Sequence, residues 1–424
     1  MKILLYGINY APELTGIGKY SAELAEWLAA RGHQVSVVTA PPYYPQWRVH
    51  DGYRAGRYQR ETRAGVDVRR APLWVPARPG GAKRLLHLAS FALSSLPSLL
   101  RAAAGRPDVI VVVEPALFCA PAAWLAARLC GARAWLHIQD YEVDAAFDLG
   151  LLKGAWLRAA VRRAERWLMR RFDRVSTISG RMLDLALYKG VDPARAVLLP
   201  NWIDVEAIAP GRDGDLRAEL GIPAGAVVAL YSGNMGGKQG LQTLAEVARL
   251  LEQEESLWFV FCGQGPERAP LQAQCHGLAR VRFLDLQPAA RLGALLNTAD
   301  IHLLPQRAGA ADLVMPSKLT GMLASGRPVV CGAARGTELA GVVARCGLVT
   351  PPEDAAAMAE AVRKLARHGE IRETLGAAAR RHALDHLHVD AVLAAAEREF
   401  AAVAGAPAPR ATRTTEAASR DAGH

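Results

Sequence analysis

Residues 1–40 constrain this chain more than any other stretch. An apolar run (MKILLY) breaks at Gly7, and residues 9–18 (NYAPELTGIG) read as a loop. Residues 19–31 carry Leu24, Trp27 and Leu28 on one helical face, and Gly32 closes that helix before a second apolar run, QVSVVT, at 34–39. Strand, loop, helix, strand in this order is a parallel βαβ unit. Its first loop opens at the carboxyl edge of the sheet, where helix N-termini and free amides attract anions. Ser21 stands where the third glycine of G-x-G-x-x-G belongs, so the loop lacks the nicotinamide fingerprint.

The alternation continues. Strand-like runs at 3–6, 35–39, 66–69, 109–113, 134–138 and 175–178 are separated by helical segments. A second series follows at 227–231, 257–262, 281–284, 301–304 and 328–331. A Pro/Asp/Gly-rich stretch, 200–225, parts the two series. The expected fold is α/β: two Rossmann-like, doubly wound parallel-sheet domains facing a cleft, the default place for a substrate. The expected boundaries are 1–200 for the first domain and 201–385 for the second. A helix at 386–403 would cross back to the first, and a tail, 404–424, would be disordered.

Composition narrows the classes. The chain has 424 residues, 51% of them apolar, enough for real cores in two or three domains. Its six cysteines form no C-x-x-C pair, which favours reduced, buried thiols over disulfides or zinc. The eleven histidines make no ligand pattern with nearby carboxylates, so no metal and no cofactor are expected. The first apolar run is too short for a signal peptide, and no stretch reads as about 18–20 uncharged residues for a membrane span. These features point to a cytoplasmic protein, soluble or peripheral to a membrane.

The net charge of +10 is concentrated in places. Residues 156–172 (WLRAAVRRAERWLMRRF) hold six arginines. At helical spacing Trp156 and Trp167 fall with Leu157, Val161, Ala164, Leu168 and Phe172, whereas Arg158, Arg162, Arg163, Arg166 and Arg170 share the other side. That is the pattern of an interfacial membrane helix, and equally of a core helix with a solvated arginine face. Residues 83–101 add a second apolar segment with basic ends. No nucleic-acid motif accompanies the charge, so nucleic acid is not expected as a partner.

The chemistry concentrates in the second series. Residues 231–240 (YSGNMGGKQG) follow a strand and open a helix, but Ser232 and Gln239 replace residues a P-loop requires. What remains is a glycine-rich turn with Gly233, Asn234 and one lysine, Lys238, suited to neutralising a diphosphate without a metal. Gly263 and Gly265 flank a similar turn, either for close approach of a ligand or only to form the turn. Pro316 and Ser317 read as a helix start with Lys318 in its first turn, a phosphate-binding arrangement. In the first series His137 ends a strand, placed to hydrogen-bond a sugar or else satisfied structurally. Asp140 follows it toward the cleft.

Taken together these segments resemble the GT-B retaining glycosyltransferases of family four. The resemblance rests on the glycine loop, RGHQVSVVT at 31–39, STIS ending at Ser179, PNWID at 200–204, the Lys238-Gln239-Gly240 turn and GRPV at 326–329, and it covers about residues 1–400. The longer runs GINYAPELTGIGKY, TAPPYYPQW, LHIQDYEVDA and SGNMGGKQGL resemble fucosyltransferase members of exopolysaccharide assembly. Three positions depart from the family pattern: Gly321 and Leu313, beside Asp312, stand where it has glutamates, and Asn234 where it has arginine.

The resemblance implies transfer of a sugar, GDP-fucose being the expected donor, to a polyprenyl-diphosphate-linked oligosaccharide at the inner face of the cytoplasmic membrane. It implies retention of configuration, with Lys238 and Lys318 facing the diphosphate and Ser317 beside them. His137 would orient the donor sugar, Gly16 and Gly18 would let backbone approach it, Glu13 and Asp140 would bind the acceptor, and Asp312 would take over one carboxylate role. Two rivals stay open: a nucleotide-sugar epimerase or phosphorylase, and a non-catalytic membrane-docked scaffold.

Overall fold

The structure, a computed structural model, describes the chain except residues 14–15, 78–79, 115–117, 142–154, 213, 309–314 and 406–424; for 114, 155, 157 and 238 it describes the backbone. Residues 406–424 of the expected tail, Leu313 and Asp312 lie outside the described residues, whereas Ala404, expected in the tail, ends the last helix. Two sheets form. The first contains β1 (Lys2–Tyr6), β2 (Gln34–Thr39), β3 (Gln59–Arg63), β4 (Val66–Arg70), β5 (Val109–Glu114), β6 (Arg133–Ile138), β7 (Arg174–Thr177) and β8 (Ala196–Leu198). The second contains β9 (Val227–Ser232), β10 (Leu257–Cys262), β11 (Val281–Leu284), β12 (Ile301–Leu304), β13 (Val329–Gly332) and β14 (Gly347–Thr350).

The eight-stranded order is β3-β4-β2-β1-β5-β6-β7-β8 and the six-stranded order β11-β10-β9-β12-β13-β14. Every pairing is parallel except β3 with β4. Winding reverses beside β1 in one sheet and beside β9 in the other. These are the switch points at which such sheets leave a crevice. Parallel strands covered on both faces run as near-continuous apolar stretches, as the first five residues of VIVVVE in β5 and all of LWFVFC in β10 show.

Three strands were not expected from sequence. β3 reads QRETR, with no apolar residue, and exists as an edge hairpin partner of β4. β8 and β14 are three and four residues long. The 200–225 stretch is packed rather than open: Ile203, Val205 and Ile208 join one core cluster of the second sheet, and Leu216 and Ile222 another.

The chain crosses between the sheets twice, side by side. Ile203 donates its amide to Leu387 O at 2.8 Å and accepts from Val389 N at 3.1 Å. The last helix, Val389–Ala404, then packs on the first sheet, burying Leu393, Ala396 and Phe400 with Trp135 and Trp202. The RGH element holds it. Arg31 donates to Glu397 at 2.9 Å and the His33 ring lies 2.6 Å from the same carboxylate, while Trp27 bonds Asp390 at 2.9 Å.

Candidate active site

The glycine loop after β9 runs from Gly233 to Gly240, with a tight turn at Gly237–Gln239 before the helix Gln242–Leu250. It lies directly against the loop after β10. Gly233 N bonds Cys262 O at 3.0 Å, Met235 N bonds Gln264 O at 2.8 Å, and Glu267 N bonds Met235 O at 3.0 Å. Gly263 and Gly265 have φ of +152° and +146°. A Cβ at 263 would sit 1.9 Å from Gly233 O, and one at 265 would sit 2.4 Å from Met235 O. Close packing of backbone on backbone therefore requires both glycines. Lys238 lies in the tight turn, and its side chain is outside what is described.

Lys318 opens the helix Lys318–Ala324 and reaches the start of that loop. Its ammonium donates to Tyr231 Oη at 2.9 Å and lies 4.2 Å from the centre of the Tyr231 ring. Its Cε comes within 3.5 Å of a Cβ position at Gly233. Tyr231 in turn donates to Asn234 O at 2.6 Å, so lysine, phenol and loop backbone form one chain. Although the residue as a whole is half-buried, its charged end is enclosed, and desolvation pulls its pKa down to about 7. Among the described residues no carboxylate pairs with it.

The start of this helix differs from the sequence expectation. Ser317 makes no capping bond. The amides of Leu319 and Thr320 are taken by Pro316 O at 2.9 Å and Ser317 O at 3.3 Å. Position 321 faces the core: a Cβ there would be 3.0 Å from Leu296 Cδ1, so a glutamate would enter apolar packing.

In the first domain Gly16, at φ +63°, opens the helix Gly16–Ala30 beside the Tyr44 ring. Gly18 is fixed by Glu13, because a Cβ would meet the Glu13 carboxylate at 2.6 Å. That carboxylate is 3% exposed. It accepts from Asn9 Nδ2 at 2.9 Å and from the amides of Tyr43 and Tyr44 at 3.0 Å each. Burial raises its pKa to about 6. Glu13 braces the glycine loop against residues 43–44.

His137 is the penultimate residue of β6 and is buried. Its Nδ1 lies 2.8 Å from Ser176 Oγ, which accepts from Trp135 Nε1 at 2.7 Å, and its Nε2 lies 2.9 Å from the Gln139 amide. Desolvation lowers its pKa to about 4, so the ring is neutral at physiological pH with both nitrogens engaged in the fold. Asp140 follows at the same edge, half-buried.

The two sheet edges meet at a clasp. Ser179 caps the helix Gly180–Tyr188 through Met182 N. Glu338, which opens a helix on the second domain, accepts from Gly180 N at 2.9 Å and Arg181 N at 2.8 Å, and Arg181 donates to Gly336 O at 2.7 Å. Neither Glu338 nor Tyr44 was singled out from sequence, since each acts on a partner in another element.

The arginine-rich helix is rotated relative to expectation. Its buried side is Glu165, Leu168 and Met169, with Glu165 paired to Lys189 at 2.6 Å. Trp156 and Trp167, 81% and 51% exposed, lie outward with Arg158, Arg162, Arg163, Arg166 and Arg170. Trp167 stacks on Arg171 and meets Trp124 at 6.1 Å. Residues Gly81–Ala103 are long and apolar enough to cross a bilayer, contrary to the sequence reading; Phe91 and Leu99 of this segment enter the core.

Comparison with known proteins agrees with this architecture. Residues 15–202 match the family described as "Glycosyl transferase 4-like domain", and residues 226–368 match "Glycosyl transferases group 1". The chain is 49% identical over 347 residues, 80% of its length and 85% of the relative's, to a protein of Escherichia coli K12 named as a colanic acid biosynthesis glycosyl transferase, WcaI. Sucrose-phosphate synthase of Thermosynechococcus elongatus superposes with a TM-score of 0.74 over 95% of this chain and 98% of that one, at 18% identity. Anabaena HepE with UDP and glucose gives 0.68 over 95% and 100%, at 16% identity. The two facing parallel sheets and both family matches make this chain a member of the GT-B glycosyltransferases, with a 4-like amino-terminal domain and a group-1 carboxy-terminal domain.

Proposed function

We propose that this glycosyltransferase carries fucose from GDP-fucose to a lipid-linked oligosaccharide in assembly of a colanic-acid-like exopolysaccharide. The observation that carries the donor reading is the enclosed ammonium of Lys318, without a carboxylate partner among the described residues, on a glycine loop at the switch point of the second sheet. A diphosphate supplies the missing counter-charge, with Lys238 on the same loop. The name of the E. coli relative supports the pathway, and the UDP held by HepE supports a nucleoside diphosphate on this fold.

In the proposed reaction the acceptor oxygen attacks the anomeric carbon on the face the diphosphate leaves. The bond from that carbon to the phosphate oxygen breaks, and the acceptor's proton passes to the leaving phosphate. Configuration is retained. His137 acts as a neutral group that shapes the sugar pocket through Gln139, Glu13 holds the Gly16–Gly18 loop in place, and Asp140 binds the acceptor.

A thermal-shift series with GDP, UDP, GDP-fucose, GDP-mannose and UDP-sugars tests the donor. Ligand at 100 times its Kd adds about 2.7 kcal/mol to stability, several degrees for a domain of this size. Selective stabilisation by GDP and GDP-fucose is expected. A response to UDP compounds alone replaces the donor, and no response to any nucleotide favours the scaffold.

The acceptor's lipid places the site of action at a membrane. The outward tryptophans and arginines of the Ala155–Met169 helix, with exposed Leu125 and Leu129 on the neighbouring Ala120–Cys130 helix, form an apolar and basic face suited to the inner, anionic leaflet. Co-sedimentation with vesicles containing anionic lipid is expected, and removing both Trp156 and Trp167 is expected to weaken it about tenfold. Equal partition with and without anionic lipid would remove the membrane from the reading.

A further inference from the structure

Arg307 follows β12 by three residues, at the carboxyl edge of the second sheet. β12 pairs with β9, the strand that leads into the glycine loop. The arginine's stem lies on the end of that loop: its Cγ and backbone N are both 3.4 Å from a Cβ position at Gly240, where φ is +62°. Its Nε–H is buried and makes no hydrogen bond. Among the described residues no carboxylate pairs with its guanidinium. Glu353, the acidic side chain at this turn, accepts instead from the amide of Ala308 at 2.9 Å.

Two other arginines of this domain differ in having partners for the guanidinium. Arg217, whose Nε–H also makes no hydrogen bond, is ion-paired with Asp300 at 2.7 Å and Asp215 at 3.2 Å, and Arg380 donates to the carbonyls of Ile208 and Ala324 at 2.9 and 2.8 Å. A buried guanidinium N–H without an acceptor is costly to leave in place. A second orphan stands on the same loop: Gln239 Oε1, immediately before Gly240, is a buried acceptor with no donor. An unpaired charged donor against Gly240 and an unpaired acceptor 3.1 Å from a Cβ position at Gly236, both on one loop, call for a ligand that offers both anionic oxygens and hydroxyl groups. A sugar diphosphate has both.

We propose that Arg307 is the guanidinium of the donor diphosphate site, holding phosphate oxygens at the Gly240 end of the loop while Lys318 holds the Gly233 end. The inference rests on the nucleotide-sugar reading above and adds a residue to it. A guanidinium presents parallel N–H groups to a phosphate, which a lysine cannot reproduce.

The test titrates the full chain with GDP and UDP, with GMP and UMP, and with guanosine and uridine, by calorimetry. Arg307→Ala is expected to weaken binding of the preferred diphosphate about 10- to 100-fold, the range of a charge-assisted hydrogen bond lost. Nucleoside binding should stay within twofold, which a general loosening of the domain would not permit. Arg307→Lys should recover part of the loss. Should the alanine variant not fold, by circular dichroism and thermal midpoint, Arg307→Lys and Arg307→Met carry the comparison. Diphosphate binding by folded Arg307→Ala within threefold of wild type overturns the proposal. If wild type binds no nucleotide, the donor reading itself fails and Arg307 falls with it.

Discussion

Replacing Lys318 with alanine is expected to lower kcat/KM for the nucleotide sugar by about 10²- to 10³-fold, the scale of a lost group that stabilises developing charge. Burial sets the free ammonium's pKa at about 7, and a bound diphosphate restores a higher value by direct attraction. The sign follows from linkage. Below pH 7 the lysine is already charged and donor binding has its full strength. Above pH 7 the free protein must take up a proton to bind, and affinity falls by up to tenfold per pH unit until the pKa of the complex is reached. Donor titrations from pH 6 to 9.5, in two buffers of different ionisation enthalpy, read both the slope and the proton uptake. Lys318→Met should remove both. A wild-type affinity that stays flat across this range would show that Lys318 does not carry the diphosphate's charge.

The sequence makes Lys318 visible because a lysine beside Pro316-Ser317 marks a helix start. Its partner is not visible: Tyr231 lies 87 residues away and is brought near by the pairing of β9 with β12. Strands covered on both faces announce themselves as unbroken apolar runs, whereas β3 depends on charged contacts such as Glu61 with the buried Arg70. Glu13 was legible only as a carboxylate in the glycine loop, expected to bind the acceptor; its inward turn on to the amides of residues 43 and 44 depends on a segment 30 residues away. The helical wheel of residues 156–172 grouped both tryptophans with Leu168 and Phe172, whereas the fold buries Leu168 and Phe172 and leaves the tryptophans outward. The buried Glu165–Lys189 pair sets a different rotation, and nothing local encodes Lys189's approach. Arg307 had only the weak signal of a cation shortly after a strand.

Gly263→Ala separates two roles that the sequence left open, ligand approach and local geometry. At φ +152° an alanine is strained wherever it points, at about 1–3 kcal/mol. Here its Cβ would also lie 1.9 Å from Gly233 O, a contact with backbone that no rotamer change relieves. The two loops must part, and the bonds from Gly233 N to Cys262 O and from Met235 N to Gln264 O go with them, at about 1 kcal/mol each. A total of about 3–5 kcal/mol corresponds to a drop of roughly 6–20 °C in the midpoint of a domain this size. Donor binding should be lost together with stability, because the same loop carries the Asn234 carbonyl that orients Tyr231 and, through it, Lys318. Gly277→Ala is the control: its φ is +87°, with nothing within 4 Å of an added Cβ, so only backbone strain of about 1–2 kcal/mol applies. Equal midpoints for the two variants would refute the loop-on-loop account. A Gly263→Ala protein of wild-type midpoint that no longer binds nucleotide would return Gly263 to direct contact with the ligand.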